Sequence, residues 1–82
     1  MNLLDYELLF MQAQADRDPL KSQEYLLKAC KANHAPSCFN LAVMYKNGDI
    51  GIPPNEEKFL QYKEITQKLA HQLGGLKGRR KA

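Results

Sequence analysis

Nowhere in the 82-residue sequence do eighteen apolar residues run together, so no helix is expected to cross a membrane. The opening MNLLDYELLF is apolar, but Asp5 and Glu7 interrupt it. Neither a basic n-region nor a small-residue cleavage site accompanies it, so it does not read as an ordinary secretory signal. No segment sustains the period-two alternation of a half-buried strand, which points away from sheet. Basic charge is scarce on the body of the chain. Lys77, Arg79, Arg80 and Lys81 supply four of the twelve Lys and Arg residues, and the remaining eight against nine acids turn a formal charge of +3 into −1. A nucleic-acid reader carries a basic stripe on its folded face, so no specific nucleic-acid partner is expected. The terminal run reads as a solvated basic tail.

What is present suits a soluble or peripheral globular protein. With 44% hydrophobic and 26% charged residues, wholesale disorder is not expected. A chain of this length forms one small domain that buries only about two-thirds of the surface its unfolded form exposes. The expected organisation is one helical domain over 1–75 and a basic tail over 76–82.

Four segments carry helical periodicity. In the first, Leu4, Leu8, Met11 and Ala15 share a face, with Leu3 and Phe10 widening the apolar sector. Asp16-Arg17-Asp18-Pro19 stops it, because the residue before a proline is pushed out of the α region. The second segment runs from about Leu20 to Ala32 with Leu26, Leu27, Ala29 and Cys30 on its apolar side. Pro36 suits the first position of a third helix, over Ser37 to about Lys46, in which Cys38, Leu41, Ala42 and Tyr45 form one stripe. Asn47-Gly48 ends it, and a loop rich in glycine and proline follows. Asn55 is placed to cap a fourth helix whose first-turn acids, Glu56 and Glu57, suit the positive end of the helix dipole. Phe59, Tyr62, Ile65, Leu69 and Leu73 make its buried face, and Gly74-Gly75 is expected to end it.

Short turns between four helices predict two consecutive antiparallel hairpins, an all-α architecture. Leu8 to Met11 lies 33 positions before Leu41 to Met44, and Glu24 to Leu26 lies 34 before Lys58 to Leu60. A period near 34 is the spacing of helix-turn-helix solenoid repeats.

The run KSQEYLLKACKANHAPSCFNLAVMYKNGDIGIPPNEEKF, Lys21 to Phe59, resembles the Sel1-like repeat of the TPR-like solenoids. In that repeat one helix ends in a K-A-C type sequence, and the next ends in leucine, a small residue and M-Y before a glycine loop. The cysteine-bearing branch of the family, with bacterial and mitochondrial members, is the nearer likeness. The resemblance implies a short α/α solenoid that acts as a scaffold for other proteins. It places Leu41, Ala42 and Tyr45 at helix-packing positions, Gly48 and Gly51 in the loop, Asn55 where aspartate is usual, and Cys30 and Cys38 at the paired cysteines. The mitochondrial branch implies the intermembrane space, assembly of a respiratory-chain complex as the partner, and haem binding as a further possibility.

Three readings of the cysteines compete, and a disulfide between Cys30 and Cys38 is the one expected. As an oxidised staple across a tight helical turn, they would close a nine-residue loop and add about 2.5 kcal/mol on the chain-entropy account. As reduced thiols, they would be small core residues. With His34 in C-x3-H-x3-C they would offer zinc three ligands without a fourth.

Catalytic chemistry finds little support in the sequence. Neither Ser22 nor Ser37 opens an S-x-x-K motif, and Gly48-x-x-Gly51 lacks the lysine and hydroxyl of a phosphate loop. His34, in a turn, and His71 are expected to be solvent-facing. A non-enzymatic scaffold without a cofactor is the expected function, with thiol-disulfide exchange or haem ligation by His34, His71, Met11 or Met44 as the alternative. The first helix holds more large apolar side chains than one narrow stripe can hide. Leu4, Leu8, Phe10 and Met11, with the surface beside Tyr25, are therefore the candidate protein-docking residues. The competing expectation is that the fourth helix and tail fold back over this helix.

Overall fold

The computed structural model describes the backbone of residues 3–78 and the side chains of residues 3–72. Within them the chain forms α1 (Leu3–Ala15), α2 (Pro19–Lys31), α3 (Ala35–Asn47) and α4 (Glu56–Gly78). The turns that separate the helices are set by local chemistry. Asp18 accepts a hydrogen bond from the Lys21 N–H at 3.1 Å, and Pro19 follows it in the first turn, so the α1 stop is also the α2 cap. Arg17 and Asn33 adopt the left-handed backbone region and turn the chain back after α1 and α2. Asn55 caps α4 by accepting from the Lys58 N–H at 3.0 Å, as its position in the sequence predicts.

The loop before α4 is held tightly. Asp49 and Ile52 exchange two backbone hydrogen bonds, at 2.7 and 2.9 Å, around Ile50 and Gly51. Gly48 has φ of +78°, and a Cβ there would lie 2.7 Å from Pro54 Cδ. The site therefore demands glycine both for its backbone and for its space. The same loop turns Ile52 into the core and leaves Ile50 at the surface.

Each helix packs on its neighbours in sequence, α1 on α2, α2 on α3 and α3 on α4. The backbone fills a slab of 44 × 30 × 16 Å, two helix layers thick. The core lies at the middle pair, where Leu26 and Cys30 of α2 meet Cys38, Leu41 and Tyr45 of α3, closed by Ile52. The α3 stripe of Cys38, Leu41, Ala42 and Tyr45 is buried as its spacing predicts. From α4, Phe59, Tyr62, Ile65 and Leu69 pack against this cluster. Tyr45 joins three helices: its ring stacks on Tyr62 at 5.7 Å, and its oxygen accepts a hydrogen bond from Gln23 Nε2 at 3.0 Å.

Several expectations are corrected. Helix α3 begins at Ala35, so Pro36 takes its second position rather than its first. The face of α1 chosen by periodicity is the outer one. Leu4, Leu8, Met11 and Ala15 are exposed, whereas Ala13 is buried and Tyr6, Leu9 and Phe10 are half-buried toward the rest of the molecule. The helix is apolar on nearly every side, so spacing alone could not choose between the two stripes. Helix α4 does not fold back on α1 among the described residues. Nor do Gly74-Gly75 stop α4, which runs on to Gly78, because glycine lowers helix propensity without blocking the hydrogen-bond ladder as proline does. The side chain of Leu73 and the end of the basic tail lie outside the described residues.

Two stability measurements check this packing. Leu41→Ala, at a fully buried position, should cost about 3 kcal/mol in urea unfolding. Burial, and after it the neighbouring Tyr45 phenol, raises the Tyr62 pKa above the ordinary tyrosine value of 10.0. Because the folded chain holds that proton more tightly than the unfolded one, the contribution is intact below pH 10 and is lost as pH rises through the folded value. Tyr62→Phe should flatten this alkaline loss when unfolding is followed against pH.

Candidate functional site

The structure brings Cys30 and Cys38 together as a disulfide, with S–S 2.07 Å and Cα–Cα 4.8 Å. Cys30 comes from the last turn of α2 and Cys38 from the first turns of α3, so the bond closes the elbow between them. Cys38 is 0% and Cys30 6% exposed. Thiol-disulfide exchange needs an attacking sulfur to reach the bond in line, and this burial gives it little access. His34 does not join the sulfurs as a ligand, and the described residues contain no group of three or more potential metal-binding side chains.

The imidazole of His34 lies elsewhere than its position in the sequence suggests. It is half-buried, with Nδ1 2.6 Å from Ser37 Oγ and Nε2 3.1 Å from Glu7 Oε2. It thus links α1 to the start of α3, which make no backbone packing contact of their own. Serine, imidazole and carboxylate in this order resemble a hydrolase relay, but the surroundings are wrong for one. Ser37 is 4% exposed, and the backbone N–H groups of Ser37 and Cys38 both donate to the His34 carbonyl, which leaves neither of them for an oxyanion. The arrangement is a latch across the elbow. No signal in the isolated sequence pairs Glu7 with His34, since the contact joins residues from two different helices.

The latch closes one end of a cleft of about 210 Å³ whose walls include Phe10 and Met11 of α1, Tyr25 and Ala29 of α2, and Asn40 of α3. Three of the expected docking residues, Phe10, Met11 and Tyr25, meet there. Leu4 and Leu8 do not line it. They continue from Met11 along the outer face of α1, where the three are 61%, 55% and 60% exposed. Phe10 differs from them in packing partly against the core. Sequence reading missed Val43 and Phe39 of α3, apolar residues that are also exposed, and Ile50 at the loop tip, 82% exposed.

A known family accounts for this arrangement of helix pairs. The Sel1 repeat matches residues 7–34 and again 35–58, which together cover more than half of the chain. The chain belongs to the Sel1 repeat family. The first Sel1 unit takes in most of α1 and all of α2, and the second takes in α3, the glycine loop and the start of α4. The boundary falls between His34 and Ala35, so the disulfide ties one Sel1 repeat to the next. Cytochrome c oxidase assembly factor 7 of Xenopus tropicalis is 42% identical over 57 residues, covering 70% of this chain and 25% of that protein. Cytochrome c oxidase assembly factor 7A of Xenopus laevis is 40% identical over 57 residues, with the same coverage of each chain. The chain thus spans a quarter of the length of these curated relatives. No solved structure matches it.

Removing the bond tests its contribution. Cys30→Ser should lower the urea unfolding free energy by about 2.5 kcal/mol, the loop-closure value for a ring of this size, and reductant should lower the parent protein to a similar level without affecting the variant. His34→Ala should cost under about 1 kcal/mol globally, since a partly exposed side-chain contact such as His34–Glu7 contributes little. Amide exchange in α1 should nonetheless quicken.

Proposed function

We propose that this Sel1 repeat protein is a non-enzymatic scaffold that docks on another protein through the outer face of α1. In this reading it is an assembly factor or accessory subunit of a mitochondrial respiratory-chain complex and works in the intermembrane space. The observation that carries the docking reading is the exposure of Leu4, Leu8 and Met11 on one side of a helix that no other described helix covers from without. Solenoid repeats contact only their neighbours, so an apolar flank at one end is matched by a polar cap or by a partner.

The respiratory-chain assignment draws on the printed names of the two Xenopus relatives and is narrower than family membership. The disulfide is compatible with it, because such bonds persist in oxidising compartments. Burial of both sulfurs favours a structural bond over redox exchange with clients. We keep the domain of this scaffold at 1–75 and the basic tail at 76–82, with the α4 backbone running three residues past that boundary. Among the described residues no helix is long and apolar enough to cross a membrane.

Affinity purification of the tagged chain from an intermembrane-space extract tests the proposal. Subunits of a respiratory complex should co-elute with the parent protein and with Ile50→Asp, and be lost with Leu8→Asp. Retention of every partner by Leu8→Asp would remove α1 as the docking face, and recovery of unrelated proteins alone would remove the respiratory assignment. Circular dichroism of each variant establishes that it remains folded.

A further inference from the structure

We infer that the occupant of the α1 face is an amphipathic helix whose apolar side is rimmed by lysine or arginine. This rests on the docking reading above and adds the partner's chemistry. The shape of the surface argues for a helix. Leu4, Leu8 and Met11 stand at i, i+4 and i+7, a ridge of roughly 10 Å along α1. Beside it a crevice of about 350 Å³ runs between α1 and α3, with Phe10, Gln14, Asn40, Val43, Met44 and Asn47 among its walls. A ridge on one helix beside a furrow that runs to the next accepts the side-chain rows of a third helix, and apolar anchors at i, i+3, i+4 and i+7 are how an amphipathic helix fills such a furrow.

The charge argues for a cationic one. Before Arg17 the chain carries Asp5, Glu7 and Asp16 and no lysine or arginine, although its formal charge is +3. At 100° per residue, Asp5 and Glu7 fall to opposite sides of the Leu4, Leu8 and Met11 ridge. Glu7 reaches His34 Nε2 with one oxygen at 3.1 Å, and its side chain is still 40% exposed. Asp49 supplies a further carboxylate at the far end of the crevice. The apolar ridge is therefore flanked by Asp5 and Glu7 on a helix that carries no lysine or arginine. Such a field draws in a cationic partner and repels nucleic acid and anionic lipid from this face.

Three fluorescent peptides of one leucine pattern test this against the intact chain by anisotropy: one flanked by lysines, one by glutamates, and one with lysines and a central proline that breaks the helix. The lysine peptide should bind about tenfold or more tightly than the other two, weaken with added salt, and fail to bind Leu8→Asp or Met11→Asp. Equal binding of the lysine and glutamate peptides, lost with Leu8→Asp, would overturn the charge inference while leaving the docking face in place. Equal binding of the proline peptide would overturn the helical form. Absence of saturable binding by all three to a chain with a folded dichroism spectrum would overturn both the inference and the α1 face. Binding to anionic phospholipid vesicles that Leu8→Asp abolishes would replace the peptide with a membrane surface and overturn the inference as well.

Discussion

The packing of α2 against α3 is the interaction on which the other elements depend. These are the two helices with a neighbour on each side, and nearly all of the fully buried side chains, including Leu26, Cys38 and Leu41, come from them. Helices α1 and α4 each cover one outer side of that pair and bury correspondingly less. In a slab two helices thick there is no second core to share the load, so the hydrophobic contribution is concentrated at one junction. A covalent bond at that junction ties the helix pair that holds the most deeply buried side chains but whose backbones pack together less extensively than the outer pairs. Its entropic effect is on the unfolded chain, and it adds to the burial rather than replacing it.

The inner helices were legible in the sequence because each has one apolar side. Cys38, Leu41, Ala42 and Tyr45 make a longer stripe on α3 than its exposed apolar pair Phe39 and Val43, and Asn55 before two glutamates marks the start of α4. Helix α1 was not legible by the same rule, since its leucines surround it. The repeat itself holds the missing signal. Leu3 and Ala35, which open the equivalent helices, stand 32 positions apart rather than 33. At that spacing Tyr6, Leu9, Phe10 and Ala13 correspond to the buried α3 stripe, and these are the α1 residues turned inward. The one-residue difference in register rotates the assignment by 100° around the helix.

The candidate site was legible in pieces. Apolar excess on α1 identified a surface, and the cysteine positions identified the elbow, because both signals are local in sequence. His34 was misjudged as a solvent-facing turn residue. Its burial comes from Glu7 on another helix and from a serine three residues ahead, and only the folded arrangement of α1 over the elbow joins them. The exposed Ile50 has a similar origin, as the Gly48 and Gly51 backbone turns Ile52 inward and forces the residue between them outward. Distinguishing these positions required the turn geometry as well as the composition of the loop.

The position of the disulfide has a mechanical consequence. It spans eight positions of sequence across the boundary between the two repeats, so the segment from Cys30 to Cys38 cannot lengthen when the chain ends are pulled apart. Under tension α1 and α4 peel away from opposite sides while the elbow between them stays shut. The intact elbow retains Cys38 beside the Cys30 carbonyl and keeps the start of α3 in register with the end of α2. When the load is released, it is a ready template on which the outer helices can zip back.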